Sequence, residues 1–134
     1  MRNRESISMV RVLNMALIDN RNGTLTDTAT RLMWQSEDDG VERDQAEAFL
    51  YCQALSYGGF SDWRLPTLDE FTRLLSSAKE GGVVGSVNTV YNRTTDADYW
   101  TSTQGPQANV AYIADGTTMF KTNKYCVRAV RASH

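Results

Sequence analysis

The chain reads as an α+β domain: two helices packed on small antiparallel sheets, with one long loop. Three observations predict it. First, Asp44-Gln45-Ala46-Glu47 and Thr67-Leu68-Asp69-Glu70 each carry the pattern that starts a helix. An Asp or Thr cap with Glu three residues on lets each side chain hold the other's backbone N–H. Second, Asn22-Gly23 and Asp115-Gly116 are hairpin turns, each between short runs of strand-forming residues. Third, the order is strands, two helices, then a run of short strands, which is an α+β plan.

At 134 residues, 41% hydrophobic and 22% charged, the chain is one domain with enough apolar residues for a core. Residues 1–16 read as a lead-in, strand or partly disordered, and 17–134 as the domain. Arg11 and Asn14 interrupt the first apolar run, and no small-residue cleavage site follows, so it is not read as a signal peptide. As written, the chain is expected in the cytoplasm, with surface or virion association arising through other components. A net charge of −2 gives no field for nucleic acid. No stretch is long and apolar enough to insert in a bilayer.

Leu17-Ile18-Asp19 and Thr24-Leu25-Thr26-Asp27 flank the first turn, and Thr30–Gln35 is a third short strand. Ser36–Glu42 is an acidic loop. The first helix runs from Asp44 to near Ser56 and turns Ala48, Phe49, Cys52 and Leu55 inward; Gly58-Gly59 follows its end. Pro66 fixes its own φ and keeps Leu65 out of the helical region, so the second helix starts after Thr67. It presents Leu68, Phe71, Leu74, Leu75 and Ala78, and Gly81-Gly82 stops it. The 81–98 stretch is a long loop, and such loops often carry function. Strands are expected at Tyr99–Ser102, Ala108–Ile113, Thr117–Phe120 and Tyr125–Arg131.

Reactive groups are sparse. The sole histidine, His134, is terminal, a poor position for a general base. Cys52 lies on an apolar helical face and Cys126 between Tyr125 and Val127, neither an electropositive setting for a nucleophile. The spacing of the two cysteines decides neither for a disulfide nor for two buried thiols. Asp19, Asn22, Thr24 and Asp27 loosely imitate an oxygen-rich calcium loop, but the twelve-residue spacing and terminal Glu are missing, and a hairpin turn accounts for the same residues. No catalytic residue, metal or cofactor is expected.

In order, Gly23-Thr24, Leu32-Met33-Trp34-Gln35, Tyr51-Cys52, Gly58-Gly59-Phe60-Ser61-Asp62-Trp63-Arg64-Leu65-Pro66, Tyr99-Trp100-Thr101-Ser102-Thr103 and Val127-Arg128-Ala129-Val130-Arg131 resemble the Lcl C-terminal domain family. The resemblance spans about residues 17 to 131. It implies a C-type-lectin-like fold, similar to that of formylglycine-generating enzymes and of retroelement-diversified variable proteins. In that fold the long loops and last strands display a variable binding face, and some relatives bind sulfated glycans. Two departures stand out. The family usually carries Cys between the arginines of its last strand, where this chain has Ala129; its own Cys126 is three residues earlier, on the opposite face of a strand. That argues against a Cys52–Cys126 disulfide. The calcium-ligating runs of calcium lectins are also absent.

Trp34, Trp63 and Trp100 sit in the family motifs and are assigned to structure rather than sugar stacking. Arg64, Arg128 and Arg131 are expected to pair with Asp62, Glu70 or backbone carbonyls and fix the loops to the sheet. The candidate ligand-binding residues are Tyr91, Asp96, Asp98, Gln104, Gln107, Asn109, Tyr112, Asp115, Thr117, Lys121, Asn123 and Tyr125, with Asn92 and Arg93 nearby. Tyr offers large contact area at low entropy cost, and Asn offers adaptable hydrogen bonds. Strand alternation sets Asn109 opposite Val110 and Tyr112 opposite Ile113, so one face is core and the other faces outward. An ordinary solvated face is the plainer alternative.

The sequence thus predicts a non-catalytic recognition domain for a protein or glycan on another cell or particle. A retroelement-diversified variable protein is its special case. The alternatives are a glycan-binding adhesin module or a self-assembling trimer, and, further off, an enzyme of the formylglycine-generating type.

Overall fold

The computed structural model describes residues 17–80, 83–84 and 98–133. The lead-in over 1–16, most of the 81–98 loop with Tyr91, Asn92, Arg93 and Asp96, the Ala78 side chain and His134 lie outside the described residues. In chain order the elements are β1 (Leu17–Asp19), β2 (Thr24–Asp27), β3 (Leu32–Gln35), α1 (Gln45–Ala54), α2 (Leu68–Glu80), β4 (Val83–Val84), β5 (Trp100–Gln104), β6 (Val110–Ile113), β7 (Thr118–Phe120) and β8 (Val130–Ala132). They form an α+β fold with two sheets, ordered β4-β1-β2-β3-β8 and β5-β6-β7. Neighbours are antiparallel except β1 and β4, which run parallel.

Both helices start as their sequences dictate. Asp44 Oδ1 accepts the Glu47 N–H at 2.8 Å, and Glu47 Oε1 accepts the Asp44 N–H at 3.0 Å. Thr67 Oγ1 accepts from Glu70 N at 3.1 Å, and Glu70 Oε1 from Thr67 N at 2.9 Å. Each cap is worth about 1 kcal/mol.

The two hairpin turns are wider than a two-residue loop. In the first, Asn20 N–H donates to the Thr24 carbonyl at 3.0 Å, and Arg21 and Gly23 both take positive φ (61° and 89°). Gly23 is fixed by packing as well: the Tyr57 hydroxyl donates to its carbonyl at 2.9 Å, and a Cβ there would lie 2.3 Å from that oxygen. In the second, Ile113 N–H reaches the Thr117 carbonyl at 3.0 Å across Ala114, Asp115 and Gly116, with Gly116 at φ 89°. A three-residue loop needs a left-handed residue at this place, which glycine supplies.

Strand alternation divides the core. Trp34 joins Leu17, Leu25, Phe71, Leu74, Tyr99 and Val130, so α2 covers this face of the larger sheet. Its neighbour Met33 joins Ala48, Cys52, Trp63, Trp100, Ile113 and Ala129 on the other side, with α1 and the smaller sheet.

Two expectations need correction. Residues 125–131 are not one strand: Tyr125 bridges Arg43 and Cys126 bridges Tyr99, and only Val130–Ala132 belongs to a sheet. The segment passes between the two sheets and lends single backbone bonds to each. On α1, Ala48 and Cys52 are buried, but Phe49 is 41% exposed and Leu50 64%. The buried stripe of Gln45, Ala48 and Cys52 is narrow, and Phe49 falls at its edge.

Candidate functional site

Three arginines staple the loops to the sheets. Arg64 grips Glu70 through two hydrogen bonds of 2.8 and 2.7 Å. Arg131 grips Asp62 at 2.5 and 3.1 Å, while its guanidinium lies 3.7 Å over the Phe60 ring. Such forked pairs fix orientation as well as distance. Arg128 is fully buried: Nη1 donates to the Gln35 and Ser36 carbonyls at 2.8 and 2.6 Å, and Nη2 to the Tyr99 hydroxyl at 3.3 Å. Tyr99 in turn donates to Asp38 Oδ2. The charge thus fastens the first residues of the acidic loop to the core. Gln35 plays a similar part, with Oε1 accepting from Ala129 N at 2.8 Å and Nε2 donating to the Tyr51 hydroxyl at 3.0 Å.

The three tryptophans are buried. Trp63 Nε1 donates to the Tyr57 and Phe60 carbonyls at 3.1 and 3.2 Å, and Trp100 Nε1 to the Arg43 carbonyl at 2.7 Å. Their rings therefore serve the frame.

The outward display lies on β5-β6-β7. Tyr112 pairs with Thr118 and Val110 with Phe120, so these four share one face, while Ala111, Ile113 and Met119 turn to the core. Val110 is covered by the turn at Gly105, leaving half-buried Tyr112, exposed Thr118 and 58% exposed Phe120 outward. Gln104, Gln107 and Asn109 are exposed at one end, beside Lys121, whose N–H donates to the Asn109 carbonyl at 2.9 Å. Asp115 and Thr117 are exposed at the other end, where Asp115 Oδ1 accepts the Thr117 N–H and hydroxyl at 2.9 and 2.6 Å. Asp98 is exposed just before β5.

Tyr125 stands apart. Its ring packs edge-on against Trp100 at 5.1 Å, on the core side, and its backbone pairs with Arg43. Asn123 reaches it through a 3.3 Å hydrogen bond to its hydroxyl. Thr118 and Phe120 were missed by the sequence reading. Counting alternation back through the Asp115-Gly116 hairpin from Tyr112 would have found them, since residues directly opposite share a face.

The remaining chemistry is subdued. An open cavity of about 440 Å³ lies between α1 and residues 63–65, lined by Phe49, Cys52, Gln53, Trp63, Arg64, Leu65 and Ser102. Burial pushes the Cys52 thiol up to about 12, so it stays protonated at neutral pH. Both cysteines are buried thiols outside any disulfide, Cys52 in the cluster with Ala129 and Cys126 in the other. Burial also raises Tyr99 and Tyr51 above the ordinary phenol range. Among the described residues, no group of three or more His, Cys, Asp or Glu is placed to hold a metal ion, and no helix is long and apolar enough to cross a membrane.

Fold and site together define a small α+β domain whose arginine-stapled frame carries a three-stranded sheet with an outward polar and aromatic face. The family model of the Lcl C-terminal domain matches residues 23–131, and the chain belongs to that family. Comparison with curated proteins finds no match.

Proposed function

We propose that this is a ligand-recognition domain, without catalysis of its own, that offers the outer face of β5-β6-β7 to a protein or glycan partner. The observation that supports it most is the contrast within one hairpin. Ala111, Ile113 and Met119 anchor β6 and β7 in the core, while Tyr112, Thr118 and Phe120 stand outward between two polar ends. An aromatic pair flanked by amides and hydroxyls has the composition of a binding surface: rigid apolar contact with adaptable hydrogen bonds around it. Because these side chains support little of the core, they can change without unfolding the domain. That also favours the narrower reading of a retroelement-diversified protein. A template repeat for codons 95–125 that differs only at adenines, beside a reverse-transcriptase gene, would establish it; a neighbourhood lacking both would remove it.

The test is a screen of the chain against glycan and peptide arrays, repeated with Tyr112→Ala and Phe120→Ala. Loss of binding with a melting temperature within a few degrees of the parent supports the face. Full binding by both variants refutes it.

A further inference from the structure

The pairing of β5 with β6 turns irregular where it passes Tyr112. Trp100 lies opposite Ile113 and Gln104 opposite Ala111, so β5 takes four steps where β6 takes two. The extra residues form a bulge over 101–103, and a bulge interrupts the ladder and re-aims neighbouring side chains. Side chains take over the ladder's work there. The Thr101 hydroxyl donates to the Tyr112 carbonyl at 2.7 Å and accepts the Thr103 N–H at 3.2 Å. The Thr101 carbonyl accepts from Gln45 Nε2 at 3.0 Å.

Gln45 is the first residue of α1 and is only 3% exposed. An N–H in the first turn finds no partner within its own helix. That of Gln45 donates to the Lys121 carbonyl at 3.0 Å, one residue past β7. One glutamine thus bonds the smaller sheet on both sides, its side chain to β5 and its backbone to the end of β7. Thr101 joins it to the Tyr112 backbone, and Lys121 follows Phe120 directly in the chain. The Asp44–Glu47 capping box fixes the turn from which both donors project, and Glu47 also accepts from Lys124 Nζ at 3.0 Å.

We infer that Gln45 is a positioning residue for the recognition face: together with the Thr101 bulge it sets where Tyr112 stands relative to Phe120. This rests on the recognition reading above and adds to it a residue that lies behind the face rather than on it. Gln45 and Thr101 are both buried. Hydrogen bonds in such a setting are strengthened by the low local dielectric and specify one arrangement of the groups they join. The bulge frees Tyr112 from a regular ladder, and the Gln45–Thr101 pair fixes it again in a chosen place.

The probe is a single-domain antibody selected on the full chain and kept only if Tyr112→Ala and Phe120→Ala each abolish its binding. Gln45→Met keeps length and burial but has no amide to donate, and it leaves the backbone N–H in place. Thr101→Val keeps the shape of the side chain and removes the hydroxyl. Trp63→Phe, in the frame, controls for a general loss of stability. Gln45→Met should weaken the antibody about tenfold, the cost of one buried hydrogen bond. Thr101→Val should act in the same direction. The double variant should bind about as well as the weaker single one, because neighbours acting through one path are not additive. Trp63→Phe should change affinity by less than about twofold, since it shares no partner with the pair. In NMR spectra the Tyr112 signals should shift in Gln45→Met and stay in place in Trp63→Phe. A Gln45→Met variant that melts lower yet binds within about twofold of the parent makes Gln45 a structural residue only and overturns the inference. Single losses that multiply in the double variant overturn it too. If Gln45→Met fails to fold, Thr101→Val decides, and unchanged affinity with unmoved Tyr112 signals is the refuting result. These readouts need no natural ligand. Failure of the recognition reading shows instead on the glycan and peptide arrays, where neither Tyr112→Ala nor Phe120→Ala would alter binding.

Discussion

Trp63→Ala is the substitution that most directly tests the frame. The ring is 4% exposed and packs edge-on to Tyr57 at 6.0 Å, among Cys52, Leu65 and Val127. Truncating a buried Trp to Ala costs about 3–5 kcal/mol, from lost transfer energy and the cavity left behind. For a domain of this size that is a fall of roughly 10–20 °C in melting temperature. Trp63→Phe separates packing from hydrogen bonding. It keeps a ring but removes the N–H that the Tyr57 and Phe60 carbonyls accept. Those carbonyls also accept each other's backbone N–H, Phe60 to Tyr57 at 3.0 Å and Tyr57 to Phe60 at 2.8 Å. Neither is left bare, so the hydrogen-bond share should be only about 1 kcal/mol. Urea unfolding followed by far-ultraviolet circular dichroism would give both values. The reasoning fails if Trp63→Ala costs under about 1.5 kcal/mol with an unchanged m-value, because a ring buried in this way cannot be lost so cheaply.

Arg128→Met keeps the length of the side chain but strips the Gln35 and Ser36 carbonyls of their donor, for an expected loss of about 2–4 kcal/mol by chemical denaturation; a neutral result would mean that the acidic loop is held by other contacts. In Cys126→Ser, the remaining Cys52 should resist Ellman's reagent at pH 8 until denaturant is added, since burial holds its thiol near about 12; prompt labelling of the folded variant would refute its burial. Burial alone would raise the Glu70 carboxyl, but the Arg64 and Thr67 hydrogen bonds outweigh it and leave it below the usual range. Its contribution is therefore fully present above the unfolded value of roughly 4.3 and lost as pH falls through the lower folded value. Glu70→Gln should flatten the fall in melting temperature between about pH 5 and pH 3; an unchanged slope would assign that fall to other carboxylates.

Much of the frame was legible because its causes are local. Capping boxes act over three residues, so Asp44–Glu47 and Thr67–Glu70 located both helices to within a residue or two. Strand alternation acts over two, which was enough to turn Ile113 inward and Tyr112 outward. The narrow stripe on α1 was not legible: helical spacing makes Phe49 a neighbour of Gln45 and Cys52, and only the packing of the domain leaves it half in solvent. Tyr125 left its expected place on the outward face for a similar reason. A Tyr in a polar run reads as display, yet the T-shaped contact with Trp100 turns its ring toward the core.

The sequence by itself determined the class of the fold, both helix starts, the turns and the family, because these follow from short-range sterics, hydrogen bonding and a diagnostic string of residues. Tertiary structure alone decided which arginine takes which of the expected partners, and the separate fates of Cys52 and Cys126. Each of these depends on segments up to about a hundred residues apart, Arg128 with Gln35 being one such pair. Their meeting is set by how the two sheets share the 126–130 segment, and no local pattern encodes it.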